Sequence, residues 1–193
     1  MPQPPHPKLI ILDRDGVINH DSPDFIKSPD EWIPIPGSLE AIARLNQAGY
    51  RVVVASNQSG IARQFFDITT LNAIHAKMHR LALQVGAEIE AVFFCPHAAA
   101  DNCDCRKPKP GMFAEISKRY QVSLKGVPTV GDSLRDLQAG FISGCVPFLV
   151  MTGKGEKTHA TGGLPPGTLT FPDLAATVQH ILKQPAAPAA APN

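Results

Sequence analysis

The chain has 193 residues, of which 44% are hydrophobic, and its 18 basic and 17 acidic side chains give a formal net charge of +1. This length suits a single globular domain with a full-sized core. The even charge balance argues against a nucleic-acid surface, and no apolar run approaches the roughly 20 residues of a membrane span. Residues 1–5 lack the apolar core of a secretion signal, so we expect a cytoplasmic monomer without a membrane partner.

Hydrophobic patterning along the chain predicts strands that alternate with helices. Buried strands are predicted over 9–12, 51–56, 91–95, 129–130 and 146–151. Helices are predicted over 39–48, 68–85, 112–120, 134–143 and 174–182, with Ser38 and Asp67 as N-caps of the first two. This order predicts an α/β fold with a doubly wound, mostly parallel sheet covered on both faces. We expect one domain over 8–184, a flexible segment 1–7 and a disordered Pro/Ala-rich tail 185–193.

The predicted first strand, Leu9 to Leu12, runs directly into two aspartates separated by one residue, Asp13 and Asp15. Side chains two positions apart in extended chain point the same way, so both carboxylates can face one point in space. Gly16 then allows a sharp turn. Two buried carboxylates at one point repel each other, which indicates that a cation lies between them.

Polar residues also follow the next three predicted strands, and in parallel α/β sheets ligands bind beyond the carboxyl ends of the strands. The segment Ser56 to Gly60 follows the second strand, Arg106 and Lys107 come after the third, and Gly131-Asp132-Ser133 ends the fourth. Pooled together, these residues supply carboxylates, a hydroxyl, backbone amides and a lysine. Carboxylates suit Mg²⁺, whereas the hydroxyl, amides and lysine suit a phosphoryl group.

Three of the four cysteines fall close together beside a histidine. This set of potential metal ligands consists of Cys95, His97, Cys103 and Cys105. Three thiolates and one imidazole complete a tetrahedral Zn²⁺ site with no open position, which is typical of a structural site. A reactive thiol cluster or a disulfide is the alternative. We expect Cys145 to be a small core residue, and we expect His75 and His79 to be surface or interface histidines.

The four motifs resemble those of the haloacid dehalogenase superfamily of phosphatases over about residues 8–150. The resemblance implies that Asp13 is the nucleophile, which forms an aspartyl phosphate, and that Asp15 is the general acid and base. It implies Mg²⁺ ligation by Asp13, Asp132 and the backbone carbonyl of Asp15. Ser56 and Lys107 would hold the phosphoryl oxygens. Ser133 and Asp136 would support these residues, with Asp136 orienting Lys107.

No insertion is long enough for a cap domain, so only loops are expected to cover the site. A capless fold with a zinc-binding loop at 95–105 resembles two families, the heptose 1,7-bisphosphate 7-phosphatases of the ADP-heptose pathway to lipopolysaccharide and the histidinol-phosphate phosphatases. The segments 57–63 and 107–112 favour the heptose type, although Gln64 stands where that family usually has glycine. The resemblance then implies a sugar bisphosphate substrate, with these contacts: Asp21, Ser22, Asp24, Asn57, Gln58, Ser59, Arg63, Arg106 and Lys109.

Two other classes of protein share parts of this pattern. A polynucleotide 3′-phosphatase carries the same aspartate motif, but it would normally need a basic groove, which the charge balance disfavours. A noncatalytic module that binds zinc and phosphate would need a broken motif, yet both Asp13 and Asp15 are present. The sequence therefore favours a phosphatase that acts on a small molecule.

Overall fold

A single parallel sheet organises the part of the chain that the computed structural model describes, residues 8–183. The predictions for 1–7 and for the tail 185–193 lie outside these described residues. The sheet has six strands in the order β3-β2-β1-β4-β5-β6. Their bounds are β1 Lys8–Leu12, β2 Tyr50–Asn57, β3 Ala91–Cys95, β4 Pro128–Gly131, β5 Val146–Val150 and β6 Leu169–Phe171. Every strand pair is parallel, as the alternation of elements predicts.

Helices cover both faces of the sheet. Their bounds are α1 Ser38–Gln47, α2 Ile68–Gln84, α3 Gly111–Tyr120, α4 Leu134–Ile142, α5 Gly155–Thr161 and α6 Leu174–Lys183. Strand β1 shows why two layers are needed, because its side chains alternate between two separate cores. Ile10 and Leu12 belong to one hydrophobic cluster, whereas Leu9 and Ile11 belong to the other. The doubly wound α/β prediction is confirmed.

Some of the predicted local features differ from the structure. Asp67 caps α2 as predicted and accepts a hydrogen bond from the Thr70 backbone N–H at 2.8 Å. Ser38, in contrast, is the first helical residue of α1, and Gly37 is the N-cap. The Ser38 hydroxyl is turned inward and hydrogen-bonds the backbone carbonyl of Ile18, so it is not available to the helix end. The patterning missed the short elements α5 and β6, because so few residues give no clear periodicity.

Within residues 8–183, the loops that follow the strands are too short to form a separate domain. The connection between β1 and α1 is the longest at this edge of the sheet, and Ile26 and Trp32 anchor it in the core. An isolated bridge pairs Asn19 with Pro34, which brings the two ends of this loop together. The carboxyl ends of the strands are thus covered by loops alone. In this same stretch, no helix combines the length and the apolar character needed to cross a membrane.

Candidate active site

The Asp13 carboxylate lies at the carboxyl end of β1 beside a buried lysine. Lys107 Nζ is 3.0 Å from Asp13 Oδ1 and 2.7 Å from Asp136 Oδ1, and it donates a hydrogen bond to the Ala55 carbonyl at 2.6 Å. Lys107 is only 2% exposed, so its charge is balanced by these two carboxylates rather than by water. The sequence-predicted motifs after β1, β3 and β4 therefore meet at one point.

The backbone of Lys107 is held by the side chain of Asn57 at the end of β2. The Asn57 amide donates to the Lys107 carbonyl at 3.0 Å, and its oxygen accepts from the Lys107 N–H at 3.1 Å. This pair of bonds fixes where the loop 95–105 joins the site. Asp136 is held in turn by Ser133, whose backbone N–H and hydroxyl both donate to Asp136 Oδ2. The arrangement gives Asp136 the geometry to orient Lys107.

A close set of carboxylates next to Lys107 is suited to a divalent cation. Oxygens of Asp13, Asp132 and Asp136 lie within 4.8 Å of one another. Because Lys107 and Ser133 already occupy Asp136, the carboxylates left for a cation are Asp13 and Asp132. A Cβ added at Gly16 or at Gly153 would overlap the Asp132 carboxylate, so glycine at both positions lets the backbone pack directly against this carboxylate.

The electrostatics of these carboxylates also fit a cation. Burial and the neighbouring Asp136 raise the pKa of Asp13 to about 6, although Lys107 opposes the shift. Burial, Asp136 and Asp13 raise the pKa of Asp132 to about 8. Burial likewise works to raise the pKa of Asp136, but Lys107 and Arg135 hold it below the ordinary value. The two buried carboxylates resist ionisation because their negative charges would repel each other. A bound divalent cation would relieve this repulsion.

Asp15 is separated from Lys107 and has its own set of partners. Arg14 forms an ion pair with Asp15 at 2.9 Å, and Asn19 and Gln58 donate to its two oxygens, each at 2.9 Å. Burial works to raise the pKa of Asp15, but Arg14, Asn19 and Gln58 outweigh it and the pKa lies below its ordinary value. Ser56 completes this side of the site, since its Oγ accepts from Gln58 Nε2 at 2.8 Å.

A cavity of about 260 Å³ opens above Asp13 and Asp15. Ten of the predicted site residues are among those that line it, namely Asp13, Asp15, Asp21, Ser22, Ser56, Asn57, Gln58, Ser59, Arg63 and Arg106. Asp24 and Lys109 are not brought to its wall. Lys109 instead lies at the surface, where its Nζ donates to the Asn102 carbonyl at 3.0 Å.

Two cations that the sequence patterns did not indicate also line this cavity, Arg135 and Lys154. Arg135 lies in the first turn of α4, and its Nε is buried without a hydrogen-bond partner in the described residues. Lys154 pairs with Asp21 across the mouth, and its backbone N–H donates to Asp132 Oδ2 at 2.8 Å. Lys154 follows β5, so extending the strand-end rule to the fifth strand would have found it.

The loop after β2 contains a residue with left-handed backbone, Gln64. Gln64 has φ of 60°, which lies in the left-handed region that glycine adopts without strain. The neighbouring Arg63 lies over the ring of Phe25, 5.9 Å from its centroid, and Phe25 contacts Phe65 at 5.2 Å between centroids. These contacts join the two loops that form one lip of the cavity.

The four predicted zinc ligands form a compact cluster beside the cavity. The three sulfurs lie 3.2–3.5 Å apart, and His97 Nδ1 is 3.3 Å from Cys105 Sγ and 3.6 Å from Cys95 Sγ. Disulfide sulfurs would be about 2.05 Å apart, so these thiols are free. Sulfur and nitrogen atoms at such separations can share one tetrahedral ion. The cluster also reaches the cavity, since Arg106 Nη1 donates to the His97 carbonyl at 3.1 Å.

The remaining cysteine and the histidines of α2 give one confirmation and one correction. Cys145 is buried in a hydrophobic cluster, as predicted, and burial raises the pKa of its thiol to about 12. His75, predicted to be a surface or interface histidine, is instead buried within the chain at only 8% exposure, and its Nε2 is 3.3 Å from Arg14 Nη1. That prediction was wrong because helical spacing shows which residues share a face but not which face is covered.

Comparisons with known proteins agree with this geometry. The family described as Polynucleotide kinase 3 phosphatase matches residues 8–135, and the one described as HAD-hydrolase-like matches residues 104–177. A Bordetella bronchiseptica protein named D-glycero-beta-D-manno-heptose-1,7-bisphosphate 7-phosphatase is 62% identical over 92% of this chain and 99% of its own. A Pseudomonas aeruginosa protein of the same name is 55% identical over 91% of this chain and 98% of its own.

Solved structures extend the likeness to the whole fold. The D,D-heptose 1,7-bisphosphate phosphatase from B. bronchiseptica, complexed with magnesium and phosphate, covers 91% of this chain and 98% of its own with a TM-score of 0.90. The corresponding enzyme from Burkholderia thailandensis is 54% identical and has a TM-score of 0.75 over 92% of this chain and 99% of its own. The chain therefore belongs to the D-glycero-D-manno-heptose 1,7-bisphosphate 7-phosphatase family, a family of phosphoric monoester hydrolases with the haloacid dehalogenase fold.

Proposed function

We propose that the protein removes the C7 phosphate of D-glycero-D-manno-heptose 1,7-bisphosphate, in the cytoplasmic pathway to ADP-heptose and the lipopolysaccharide core. The observation that carries this proposal is the cavity, which has a buried carboxylate beside a lysine at its base and several cations around its wall. A phosphate on a primary carbon can reach Asp13, while a second phosphate meets the wall. The names of the close relatives support the same substrate.

The proposed reaction proceeds through an aspartyl phosphate on Asp13. Asp13 attacks phosphorus, while Lys107 and Ser56 hold the phosphoryl oxygens. Asp15 takes up a proton from solvent when the anionic phosphate binds beside it, because a neighbouring negative charge raises its pKa. It gives this proton to the leaving sugar oxygen and later takes one from the water that hydrolyses the intermediate. Mg²⁺ would be held by Asp13, Asp132 and the Asp15 carbonyl, and it would screen the repulsion between two anions.

We propose Mg²⁺ as the catalytic cation, and the carboxylate pKa values make this testable without activity. The folded protein holds protons on Asp13 and Asp132 up to about pH 6 and about pH 8, whereas the unfolded chain releases them near the ordinary pKa of 3.8. The metal-free protein therefore binds more protons folded than unfolded in this window, so its free energy of unfolding falls as pH rises. Mg²⁺ competes with those protons, so the stabilisation by Mg²⁺ should grow as pH rises.

Thermal unfolding with EDTA and with saturating Mg²⁺, at several pH values from about 5 to 8, measures this effect. We expect the increase in melting temperature due to Mg²⁺ to be small at the acid end and largest at the alkaline end. In the protein without substrate, Asp15 and Asp136, whose pKa values lie below the ordinary range, are ionised across this pH range and add no slope. A Mg²⁺ increment that is the same at every pH would contradict the assignment of Asp13 and Asp132 as ligands.

We propose that Arg106 recognises the C1 phosphate, with Arg63, which lines the same cavity, as a second candidate. Arg106 lines the cavity, and its Nη1 is held by the His97 carbonyl, so its direction is set by the cysteine loop. Guanidinium groups bind phosphate through paired, charge-assisted hydrogen bonds. The role of Arg106 in catalysis is indirect, since the binding energy from the remote C1 phosphate raises the specificity for the bisphosphate.

The substrate proposal is tested by comparing kcat/KM for the heptose bisphosphate and for histidinol phosphate in the presence of Mg²⁺. Charge-assisted bonds contribute roughly 1.5–3 kcal/mol each, so about two of them to the second phosphate favour the bisphosphate by about 10²–10⁴-fold. Histidinol phosphate would instead bring a cationic amine toward Arg106. Equal or faster turnover of histidinol phosphate would overturn the heptose proposal in favour of that alternative.

Arg106→Ala is the matching variant, and Arg80→Ala is its control. Arg106→Ala should erode the preference for the bisphosphate more than it slows hydrolysis of a simple monophosphate. Arg80 lies exposed on α2, so its removal makes the same change in net charge away from the cavity. The proposal fails if both variants change the preference equally, because the effect would then follow overall charge.

We propose that the partner is a small molecule and that Zn²⁺ fills the cysteine cluster. The support for a small molecule is a cavity volume of about 260 Å³ and a net charge of +1. Because one matching family is described as Polynucleotide kinase 3 phosphatase, a nucleic acid is the alternative substrate to test. A DNA oligonucleotide with a 3′-phosphate should show neither low-salt binding nor turnover, whereas salt-sensitive binding with release of phosphate would contradict this proposal.

A further inference from the structure

Arg14 stands between the two motif aspartates and is completely buried, at 0% exposure. Its guanidinium turns back onto the Asp15 carboxylate. Arg14 Nε donates to Asp15 Oδ1 at 3.1 Å, and Nη2 donates to Oδ1 at 2.9 Å and to Oδ2 at 3.0 Å. Contacts from one planar group to both oxygens determine the angle of the carboxylate as well as its position.

Gln58 ties this ion pair to the phosphoryl-binding side of the cavity. Its Oε1 accepts from Arg14 Nη2 at 3.2 Å, and its Nε2 donates to Asp15 Oδ2 at 2.9 Å and to Ser56 Oγ at 2.8 Å. From the opposite side, Asn19 Nδ2 donates to Asp15 Oδ1 at 2.9 Å. Both oxygens of Asp15 are therefore held by more than one group.

His75 on α2 makes a further contact with the Arg14 guanidinium, through Nη1. Arginine can only donate, so the contact of 3.3 Å between Arg14 Nη1 and His75 Nε2 makes Nε2 the acceptor and leaves the ring proton on Nδ1. Burial, together with the charge of Arg14, lowers the pKa of His75 to about 3, so the ring stays neutral. The ring is also held edge-on by Phe94, 6.2 Å between centroids. A neutral acceptor satisfies Arg14 without competing with Asp15 for its charge.

We propose that Arg14, supported by neutral His75 and linked through Gln58 to Ser56, is a positioning residue that aims the Asp15 carboxyl at the leaving oxygen of the substrate. The inference rests on the proposed function, in which Asp15 is the general acid and base. As the bond from phosphorus to the leaving oxygen breaks and the bond from Asp13 to phosphorus forms, the proton moves from Asp15 to that oxygen. The carboxylate that remains is already paired with Arg14.

Position and charge have opposite consequences when Arg14 is removed. Arg14 favours the ionised form of Asp15, so a purely electrostatic effect of its loss would make the acid easier to protonate and would not slow proton donation. Loss of position would slow it, because general acid catalysis contributes about 10²–10⁴-fold only when the donor is within hydrogen-bond reach of the acceptor. The sign of the effect therefore distinguishes the two roles.

The test uses the Mg²⁺-loaded protein in excess over substrate, so that a single turnover reports only the first chemical step. Two leaving groups are compared. One is heptose 1-phosphate from the bisphosphate, whose departure is called heptose release, and the other is p-nitrophenolate, which leaves readily without a proton. For Arg14→Met we expect heptose release to slow by about 10–100-fold and p-nitrophenolate release by less than about 3-fold. Equal slowing of both would overturn the inference, because a merely structural defect does not depend on the leaving group.

Variants of His75 test the same role in case Arg14→Met does not fold, which thermal unfolding would show. His75→Leu removes the acceptor behind Arg14 and should show the same dependence on the leaving group, with smaller size. His75→Gln restores a neutral acceptor and should recover most of the rate of heptose release. The inference fails if His75→Leu and His75→Gln do not differ from each other in the rate of heptose release or in the rate of p-nitrophenolate release.

The variant Asp15→Asn distinguishes a failure of this inference from a failure of the proposed function. If Asp15 is the acid, this variant slows heptose release far more than p-nitrophenolate release, and adding Arg14→Met then causes no further loss specific to heptose. Should Asp15→Asn slow both leaving groups alike, the acid role itself fails. Should Asp15→Asn discriminate while Arg14→Met and His75→Leu do not, the acid role stands and the positioning role is wrong.

Discussion

Asp13→Asn is expected to reduce turnover by about 10⁴-fold or more, because an amide cannot attack phosphorus. The variant should stay folded. The asparagine oxygen can still accept from the Arg14 backbone N–H, which donates to Asp13 Oδ1 at 2.8 Å, and it can still face Lys107. Removing a buried carboxylate whose pKa is raised to about 6 also relieves repulsion from Asp136. The loss is therefore one of chemistry and not of structure.

Release of inorganic phosphate by the purified variant, together with its melting temperature, measures this result. Asp67→Asn is the matched control, since it makes the same carboxylate-to-amide change at the N-cap of α2, where asparagine caps equally well. The control should keep the activity of the unmodified protein. If Asp13→Asn retains a tenth of that activity, the nucleophile is another residue.

Of all the proposed substitutions, Cys103→Ser should lower the free energy of unfolding the most. Structural Zn²⁺ binds with apparent free energies of about 10–16 kcal/mol that are coupled to folding. Removing one of the four proposed ligands should lower the free energy of unfolding by on the order of 4 kcal/mol, which corresponds to roughly 10 °C in melting temperature. Activity should fall at least about tenfold, because the cluster ends at Arg106 and Lys107, and Arg106 is held by the His97 carbonyl.

Elemental analysis, thermal unfolding and steady-state activity test this expectation together. Cys145→Ala removes a thiol from the core that is not part of the cysteine cluster, and it should leave the zinc content unchanged. Mild chelation should remove Mg²⁺ and stop activity reversibly, while zinc held by thiolates should resist it. Protein purified without chelator that contains no zinc would refute the assignment of the cysteine cluster.

Several features of this protein can be predicted from the chain because they depend on neighbours in sequence. The alternation of Leu9 to Leu12 between two cores follows from the two-residue period of a strand. Asp13 and Asp15 both line the cavity, but the prediction of a cation between their carboxylates was wrong, since Asp13 clusters with Asp132 and Asp136 while Asp15 pairs with Arg14. The carboxyl-end rule for parallel sheets predicts that Lys107 and Asp132 lie at the same edge, because each follows a buried strand. The spacing of cysteines around His97 indicates their cluster for the same local reason.

Other features depend on how distant elements meet, and helical or strand periodicity carries no such information. His75 shares a helix face with core residues, but only the packing of α2 against the end of β1 brings it to Arg14. Lys154 and Arg135 reach the cavity because β5 ends and α4 begins beside it. The amides of Asn57 and Gln58, predicted to contact substrate, also bond the Lys107 backbone and Asp15. Sequence thus determined which groups could do the chemistry, whereas tertiary structure decided which groups hold them in place, because long-range contacts set side-chain direction.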